Sequence, residues 1–291
     1  MKHYILITLF LLTSSIVFSQ TAKEYFDMGD SKYDLEDYIG AIKDYSKAIE
    51  INPNFADAYY NRGRAKSTEK GAIADYSKAI GINPNYADAY HNRGIAKLDL
   101  EDYEGAIADL SKAIEFNPDD ADAYHVRGMA KLALEDYREA IADFTKAIEI
   151  NPDDEWAYLR RGIAKSSFED YEGSIQDLNE AIIMFDQMDF SNDDREVGLS
   201  LAHLVRGLAK VSIDKFACAD FIAVKGHSKI LRKYDSYNKT FLEAQNMMYE
   251  AYKDLTIESK FDEKLKKYLL KTPDKLFLRT AKKMCKYCRK L

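Results

Sequence analysis

The feature that most constrains this 291-residue chain is a sequence unit of fixed length that recurs along it. Residues 87–120 and 121–154 agree at most positions, and the closing prolines Pro84, Pro118 and Pro152 stand 34 residues apart. A period of that size is typical of a solenoid, in which each unit buries its apolar face only against its neighbours. The repeat therefore predicts a stack of similar units, and it favours binding over catalysis.

Each unit contains two segments whose apolar residues recur every three or four positions. In residues 87–120 the first segment carries Tyr90 and Gly94, and the second carries Ala106 and Leu110. That spacing indicates α-helices, since a strand has a period of two. An Asn-Pro pair ends the second helix, because proline has no N–H to donate and disfavours helix in the residue before it. The unit is therefore predicted to be helix–turn–helix.

These units resemble tetratricopeptide repeats. The family pattern is an aromatic residue, a Gly four positions later, then Ala, a large apolar residue, Ala and Pro. The third unit matches it with Tyr90, Gly94, Ala106, Leu110, Ala113 and Pro118. We place the units at residues 22–55, 56–86, 87–120, 121–154, 155–188 and, in degenerate form, 200–230. The second unit is shortened in its interhelix turn, and the fifth lacks the closing proline.

The resemblance implies an all-α fold, a right-handed superhelical solenoid of five to six helix–turn–helix repeats within residues 20–230. Residues 231–291 keep a helical period without the repeat, and we interpret them as a helical cap over the exposed end of the solenoid. The recurring glycines have a structural explanation, because small side chains let two helices approach closely.

Two charged positions recur with the repeat. Arg precedes the repeat glycine in every unit after the first, which has Met28 there, and an Asp lies in the second helix of the first five units. The residues are Arg62, Arg93, Arg127, Arg161 and Arg206, and Asp44, Asp75, Asp109, Asp143 and Asp177. Because the first unit has an Asp but no Arg, we expect each Arg to pair with the Asp of the preceding unit. The alternative is ordinary exposed charges that contribute little.

The first 19 residues have the parts of a secretory signal peptide. Lys2 and His3 precede a short apolar run, and the small residue Ser19 precedes Gln20. The run is shorter than the roughly 20 residues that a membrane span needs. We therefore predict cleavage before Gln20, export to a periplasm or beyond, and no integral membrane segment in the mature chain.

The net charge of −7 conceals a basic C-terminal tail. Residues 260–291 hold 12 Lys or Arg against 3 Asp or Glu, so the remainder is strongly acidic. Nucleic acid is not an expected partner, because it needs a basic patch on the folded domain. The tail either belongs to the cap or docks on the acidic body or on another anionic surface. A structural or assembly factor that self-associates through this tail is the main alternative function.

Three cysteines occur, Cys218, Cys285 and Cys288. Cys285 and Cys288 are candidates for a disulfide, since an exported protein keeps such bonds. Their spacing also occurs in redox enzymes and zinc sites, and a thiol-active protein is the third functional alternative. The redox motif follows a strand, however, and zinc needs two further ligands.

We predict that the chain is not an enzyme and that it holds no metal or cofactor. P-loop, dinucleotide-binding and HExxH motifs are absent from the sequence. His91 and His125 lie one repeat apart, and neither has an evident nucleophile or metal ligand beside it.

In tetratricopeptide repeat proteins the first helix of each unit lines a concave surface that holds peptides. Carried onto this chain, the resemblance implies a partner-binding groove formed by Asp57, Tyr60, Asn61, Arg64, Asp88, His91, Asn92, Ile95, Asp122, His125, Met129, Trp156, Leu159, Arg160 and Ile163. Such a groove suits a protein or peptide segment with apolar anchors and Lys or Arg. The alternative is that the apolar members pack between repeats and the aspartates favour helix starts. The predicted function is a protein–protein interaction scaffold.

Overall fold

The computed structural model describes residues 21–188 and 193–212, and every regular element in them is an α-helix. The helices are α1 (Ala22–Asp34), α2 (Tyr38–Ile51), α3 (Ala56–Ala65), α4 (Glu69–Ile82), α5 (Ala87–Asp99), α6 (Tyr103–Phe116), α7 (Ala121–Ala133), α8 (Tyr137–Ile150), α9 (Glu155–Ser167), α10 (Tyr171–Gln187) and α11 (Asp193–Ser212). From α1 to α10, each odd-numbered helix pairs with the next even-numbered one as the two helices of a repeat. The predicted all-α class built of helix–turn–helix repeats is confirmed.

The chain forms two compact units that divide after Pro118. Helices α1 to α6 belong to the first unit, and α7 to α11 belong to the second. Four predictions fall on residues outside the described ranges: the signal peptide at 1–19, the end of the sixth repeat, the cap at 231–291, and the three cysteines.

Asparagine–proline pairs set where the second helices end. Asn117 leaves the helical conformation, with a ψ of 86°, directly before Pro118, whose ring disfavours helix in that residue. The fifth repeat has no such proline, and α10 accordingly runs for 17 residues where α6 has 14. α11 begins at Asp193, ahead of residue 200, where the repeat spacing predicts the sixth unit. Its extra turns cover the longer α10, and Gly198 lies directly against the ring of Phe185.

Close approach of the two helices in a repeat depends on its glycine. A Cβ atom on Gly94 would lie 2.7 Å from Cγ of Leu110, and one on Gly128 would lie 2.8 Å from Cε1 of Phe144. These separations are shorter than packed carbon atoms adopt. Gly29, Gly63 and Gly162 have the same relation to Tyr45, Tyr76 and Leu178. The predicted structural role of the glycines follows from this geometry.

The recurring ion pairs form inside repeats. Arg93 donates from Nε and Nη2 to both carboxylate oxygens of Asp109, at 2.7 and 2.6 Å, and Lys97 reaches the same carboxylate at 2.8 Å. The arrangement recurs as Arg62–Asp75–Lys66, Arg127–Asp143–Lys131 and Arg161–Asp177–Lys165. The predicted pairing of each Arg with the Asp of the preceding repeat is therefore wrong.

A lysine explains why the first repeat has an Asp without an Arg. Lys32 lies one helical turn after Met28 and pairs with Asp44 inside the same repeat. The carboxylate of Asp44 is 7% exposed, so it needs a cation and hydrogen bonds to offset its removal from water. Lys32 was not among the predicted partners, although a Lys follows the Arg by four residues in each of the next four repeats.

The arginines do connect neighbouring repeats. The bond is made to a polar residue of the preceding repeat that lies two positions after the aspartate predicted as the partner. Arg93 donates from Nη1 to Oγ of Ser77 at 2.9 Å. Arg206, in α11, donates in the same way to Oδ1 of Asn179 at 2.7 Å. Matching bonds join Arg62 to Ser46 and Arg161 to Thr145. One guanidinium therefore holds the second helix of its own repeat and touches that of the preceding repeat.

We expect Asp109→Asn to lower the free energy of unfolding by about 2–4 kcal/mol, because it leaves Arg93 and Lys97 without their shared counter-charge in a poorly hydrated site. Chemical denaturation followed by circular dichroism measures the change. Glu115→Gln is the matched control, since its pair with Lys112 in the same helix is about half exposed on both sides. Its effect is expected within about 0.5 kcal/mol. Equal effects of the two substitutions would contradict the assigned role of the buried carboxylate.

The glycine contact gives a second pair of substitutions with opposite expected signs. Gly94→Ala forces a methyl group against Leu110 and is expected to destabilise the fold by roughly 1–3 kcal/mol. Gly81→Ala, near the end of α4, meets nothing within 4 Å and is expected to stabilise it by up to about 1 kcal/mol through helix propensity. Thermal unfolding of both variants checks the signs. A Gly94→Ala protein as stable as the parent would refute the close approach.

Candidate partner-binding surface

The odd-numbered helices carry the residues that the family resemblance assigns to a groove, and we call their accessible side in each compact unit the first-helix surface. In the first compact unit Asp57, Arg64 and Asp88 are exposed, and Tyr60, Asn61, His91, Asn92 and Ile95 are half-buried. In the second unit Asp122 is exposed, His125, Met129, Trp156, Arg160 and Ile163 are half-buried, and Leu159 is fully buried.

Two asparagines of this surface hold neighbouring repeats together. Asn92 donates from Nδ2 to the phenol oxygen of Tyr60 at 2.8 Å. Asn61 donates to Oδ1 of Asp30 at 2.8 Å, and that carboxylate also accepts the hydroxyl of Tyr45 at 2.7 Å. Asp30 occupies the same position in the first repeat as Arg64 does in the second. The predicted groove includes this position only from the second repeat onward. Part of the polar lining therefore positions the helices.

A tyrosine cluster in the first compact unit was missed by sequence reasoning. It consists of Tyr33, Tyr60, Tyr76 and Tyr86. The Arg64 guanidinium carbon lies 4.7 Å from the ring centroid of Tyr33 and 5.8 Å from that of Tyr60, within the range of a cation–π contact. Burial raises the pKa of Tyr60 and raises the pKa of Tyr76 to about 12. Burial, followed by a hydrogen bond to Asp57, also raises the pKa of Tyr86. Tyr60, Tyr76 and Tyr86 therefore present neutral phenols.

In the second compact unit a histidine of one repeat binds the cap of the next. Nδ1 of His125 lies 2.8 Å from Oδ2 of Asp154, whose other oxygen accepts the N–H of Ala157 at the start of α9. Burial by itself raises the pKa of Asp154. The hydrogen bond and charge of His125, with the backbone N–H groups of Ala157 and Trp156, outweigh burial and lower that pKa overall. The half-buried imidazole therefore already has a structural partner.

The apolar members of the predicted groove take part in packing. The Trp156 ring meets Phe185 edge-on with centroids 5.1 Å apart, and Met129 packs against the core around Phe144. Ile163 lies against the cluster that contains Leu159, which has no exposed surface. The prediction that Leu159 contacts a partner is therefore wrong. Its apolar side chain joins the core built by α10 and α11, whereas the equivalent positions in the second, third and fourth repeats hold Tyr60, His91 and His125.

The tetratricopeptide repeat family matches four stretches of the chain. The family described as TPR repeat covers residues 29–67 and 70–101, and the one described as Tetratricopeptide repeat covers 87–120 and 121–154. These matches fall on the helix pairs and glycine contacts described above. Residues 29–67 and 70–154 are therefore built of tetratricopeptide repeats.

Several solved structures share this architecture. MamA is 26% identical over 54% of this chain and 94% of its own, with a TM-score of 0.52. YrrB, described as a TPR protein with an unusual peptide-binding site, is 25% identical over 59% of this chain and 91% of its own, with a TM-score of 0.54. PilF of Pseudomonas aeruginosa is 19% identical over 76% of this chain and 97% of its own, with a TM-score of 0.57, which shows the fold alone. Among curated proteins, none matches the chain significantly.

Within residues 21–188 and 193–212, His, Cys, Asp and Glu nowhere form a group of three or more that would hold a metal ion. None of the helices there combines the length and the apolar character needed to cross a membrane.

The His125–Asp154 contact predicts a specific pH dependence. A carboxyl whose pKa is lowered by folding stabilises the protein above its unfolded pKa of about 3.9, and this contribution disappears as the pH falls through the folded value. We expect Asp154→Asn to reduce stability by about 1 kcal/mol at pH 7 and the difference from the parent to shrink between about pH 5 and pH 3. Melting temperatures across this range measure it.

Asp153→Asn is the control for that comparison, because Asp153 is the exposed neighbour in the same turn. Its melting temperature is expected to follow the parent at every pH. A pH-independent effect of Asp154→Asn would show that the carboxylate charge contributes nothing to the contact.

Proposed function

We propose that this protein is an exported, non-catalytic scaffold of the cell envelope that binds a peptide segment or a partner subunit on its first-helix surface. The observation that carries the proposal is the inward pairing of the recurring cations. Arg93 and Lys97 both point their charges at Asp109, whereas Asp57 and Asp88 remain exposed. Among the predicted groove residues the exposed charges are Asp57, Asp88 and Asp122 against Arg64, so the surface is acidic on balance, and half-buried rings and amides flank it.

That chemistry suits a segment carrying Lys or Arg and one or more apolar anchors. Asp88 and Asp122 supply exposed negative charge, and Tyr60 and Trp156 supply partly exposed aromatic surface. Proteins of this family generally act as scaffolds for other proteins, and YrrB, which shares the architecture, has a peptide-binding site. Both points support an interaction role for this chain.

Selection of peptides from a random displayed library on residues 20–291 tests the proposal, with affinities then measured by fluorescence polarisation. In the variant Asp88→Lys/Asp122→Lys we expect the affinity of a selected peptide to fall at least tenfold, because both exposed carboxylates become repulsive. Glu115→Lys/Glu149→Lys is the matched control. It makes the same change in net charge at exposed positions of second helices, and its affinity is expected within about twofold of the parent.

The alternative functions give other results in the same assay. Binding that survives Asp88→Lys/Asp122→Lys but is lost on truncation after residue 259 would move the function to the basic tail. Loss in Cys285→Ser/Cys288→Ser with the fold intact would favour thiol chemistry. Either result would refute binding on the first-helix surface.

Export is tested separately by the mass of the protein recovered from its native envelope fraction. The proposal expects a chain that begins at Gln20. A full-length chain retained in the cytoplasm would contradict the envelope location and leave the interaction role untouched.

A further inference from the structure

The second repeat is shorter than its neighbours, and its missing residues leave space beside the third repeat. α3 has 10 residues, whereas α1, α5, α7 and α9 have 13. Those longer helices are followed by a glutamate with φ near 60°, namely Glu36, Glu101, Glu135 and Glu169. In the second repeat Lys66 and Thr68 are extended instead. The deletion therefore removes the last turn of the first helix.

A pocket of about 200 Å³ occupies this place, between α3, the shortened turn, α4 and α5. Ala72, the ring of Tyr76 and the side chain of Ile95 form its apolar part. Glu69 and Asp99 stand at its polar part, on α4 and α5. The pocket is continuous with the first-helix surface, since Ile95 belongs to both.

Its two carboxylates have no cation of their own among the described residues. Lys66, which also lines the pocket, lies 2.7 Å from the carboxylate of Asp75 and donates to the carbonyl of Gly71 at 3.2 Å. Arg64 also lines the pocket, and its guanidinium lies over the tyrosine rings described above. Partial burial, and then the nearby charge of Glu69, raise the pKa of Asp99. Two exposed carboxylates thus line the cavity beside its apolar wall, and the two cations of the lining, Arg64 and Lys66, have other contacts.

We propose that this pocket binds one lysine or arginine side chain of the partner segment. The aliphatic stem lies against Ile95 and Tyr76, and the cationic head lies near Glu69 and Asp99, where it relieves their mutual repulsion. A neutral apolar side chain leaves the carboxylates uncompensated, and an acidic one adds to their repulsion. The inference rests on the proposed function and adds a position-specific requirement for a basic residue.

The test uses peptides selected on the full mature chain, each made also with norleucine in place of each Lys or Arg in turn. We expect one basic position whose replacement weakens binding to the parent about tenfold. The variant Glu69→Gln/Asp99→Asn is expected to bind the unmodified peptide more weakly by a similar factor. Its affinity for the norleucine peptide is expected to be nearly the same as its affinity for the unmodified one. Glu50→Gln/Glu115→Gln removes the same charge from exposed second-helix positions and is expected to behave as the parent.

A second variant removes the pocket itself. Replacing residues 67–70 with the sequence of residues 98–104 restores the regular repeat length and refills the cavity. It is expected to lose the same tenfold preference for the basic residue, while peptide contacts elsewhere on the first-helix surface persist.

Three outcomes decide between the claims. Loss of the basic preference in both pocket variants supports the inference. Peptides that bind through Asp88 and Asp122 but show no basic position sensitive to Glu69→Gln/Asp99→Asn overturn the pocket and leave the proposed function standing. A library that yields no peptide for the mature chain overturns both.

Discussion

A nearly inaccessible aspartate, held between an arginine and a lysine, fixes the two helices of each repeat from the second to the fifth. Asp109 illustrates the constraint, since a carboxylate that is 5% exposed is stable only with its charge compensated and its oxygens hydrogen-bonded. Arg93 and Lys97, one helical turn apart on α5, supply both the compensating charge and the hydrogen bonds. The spare nitrogen of Arg93 then reaches Ser77 of the preceding repeat, so one side chain couples packing within a repeat to stacking between repeats.

Because the recurring Arg and Lys of the first helices pair with buried aspartates, they contribute little charge to the surface that a partner can contact. In contrast, Asp57, Asp88 and Asp122 are exposed, with Arg64 as an exposed cation among them. Composition alone gives no hint of that separation. It follows from spacing, because Arg and Lys four residues apart lie on the same face of a helix, whereas the aspartate near the helix start lies elsewhere. The shortened second repeat adds a local irregularity to an otherwise periodic surface.

The helix pairs were predictable from the sequence because the period of 34 residues, the glycine and the Asn-Pro stop all recur in phase. Pairing of the charged residues was not. The missing Arg at Met28 was interpreted as an absent predecessor, whereas Lys32 supplies the cation inside the first repeat. Leu159 was misjudged for a related reason, since its burial depends on α11, whose start at Asp193 no repeat spacing predicts. The local periodicity of the sequence thus predicts the helices. It does not predict the contacts made where the repeat is irregular.

The central claim is that a partner lies on the first helices. Site-specific photo-crosslinking tests it most directly, with a photoreactive p-benzoylphenylalanine placed at His91 on α5 in one protein and at Lys112 on α6 in another. The account predicts that a bound, selected peptide is captured from position 91 and not from position 112, whose side chain is exposed on a second helix. Capture from position 112 with none from position 91 would contradict it.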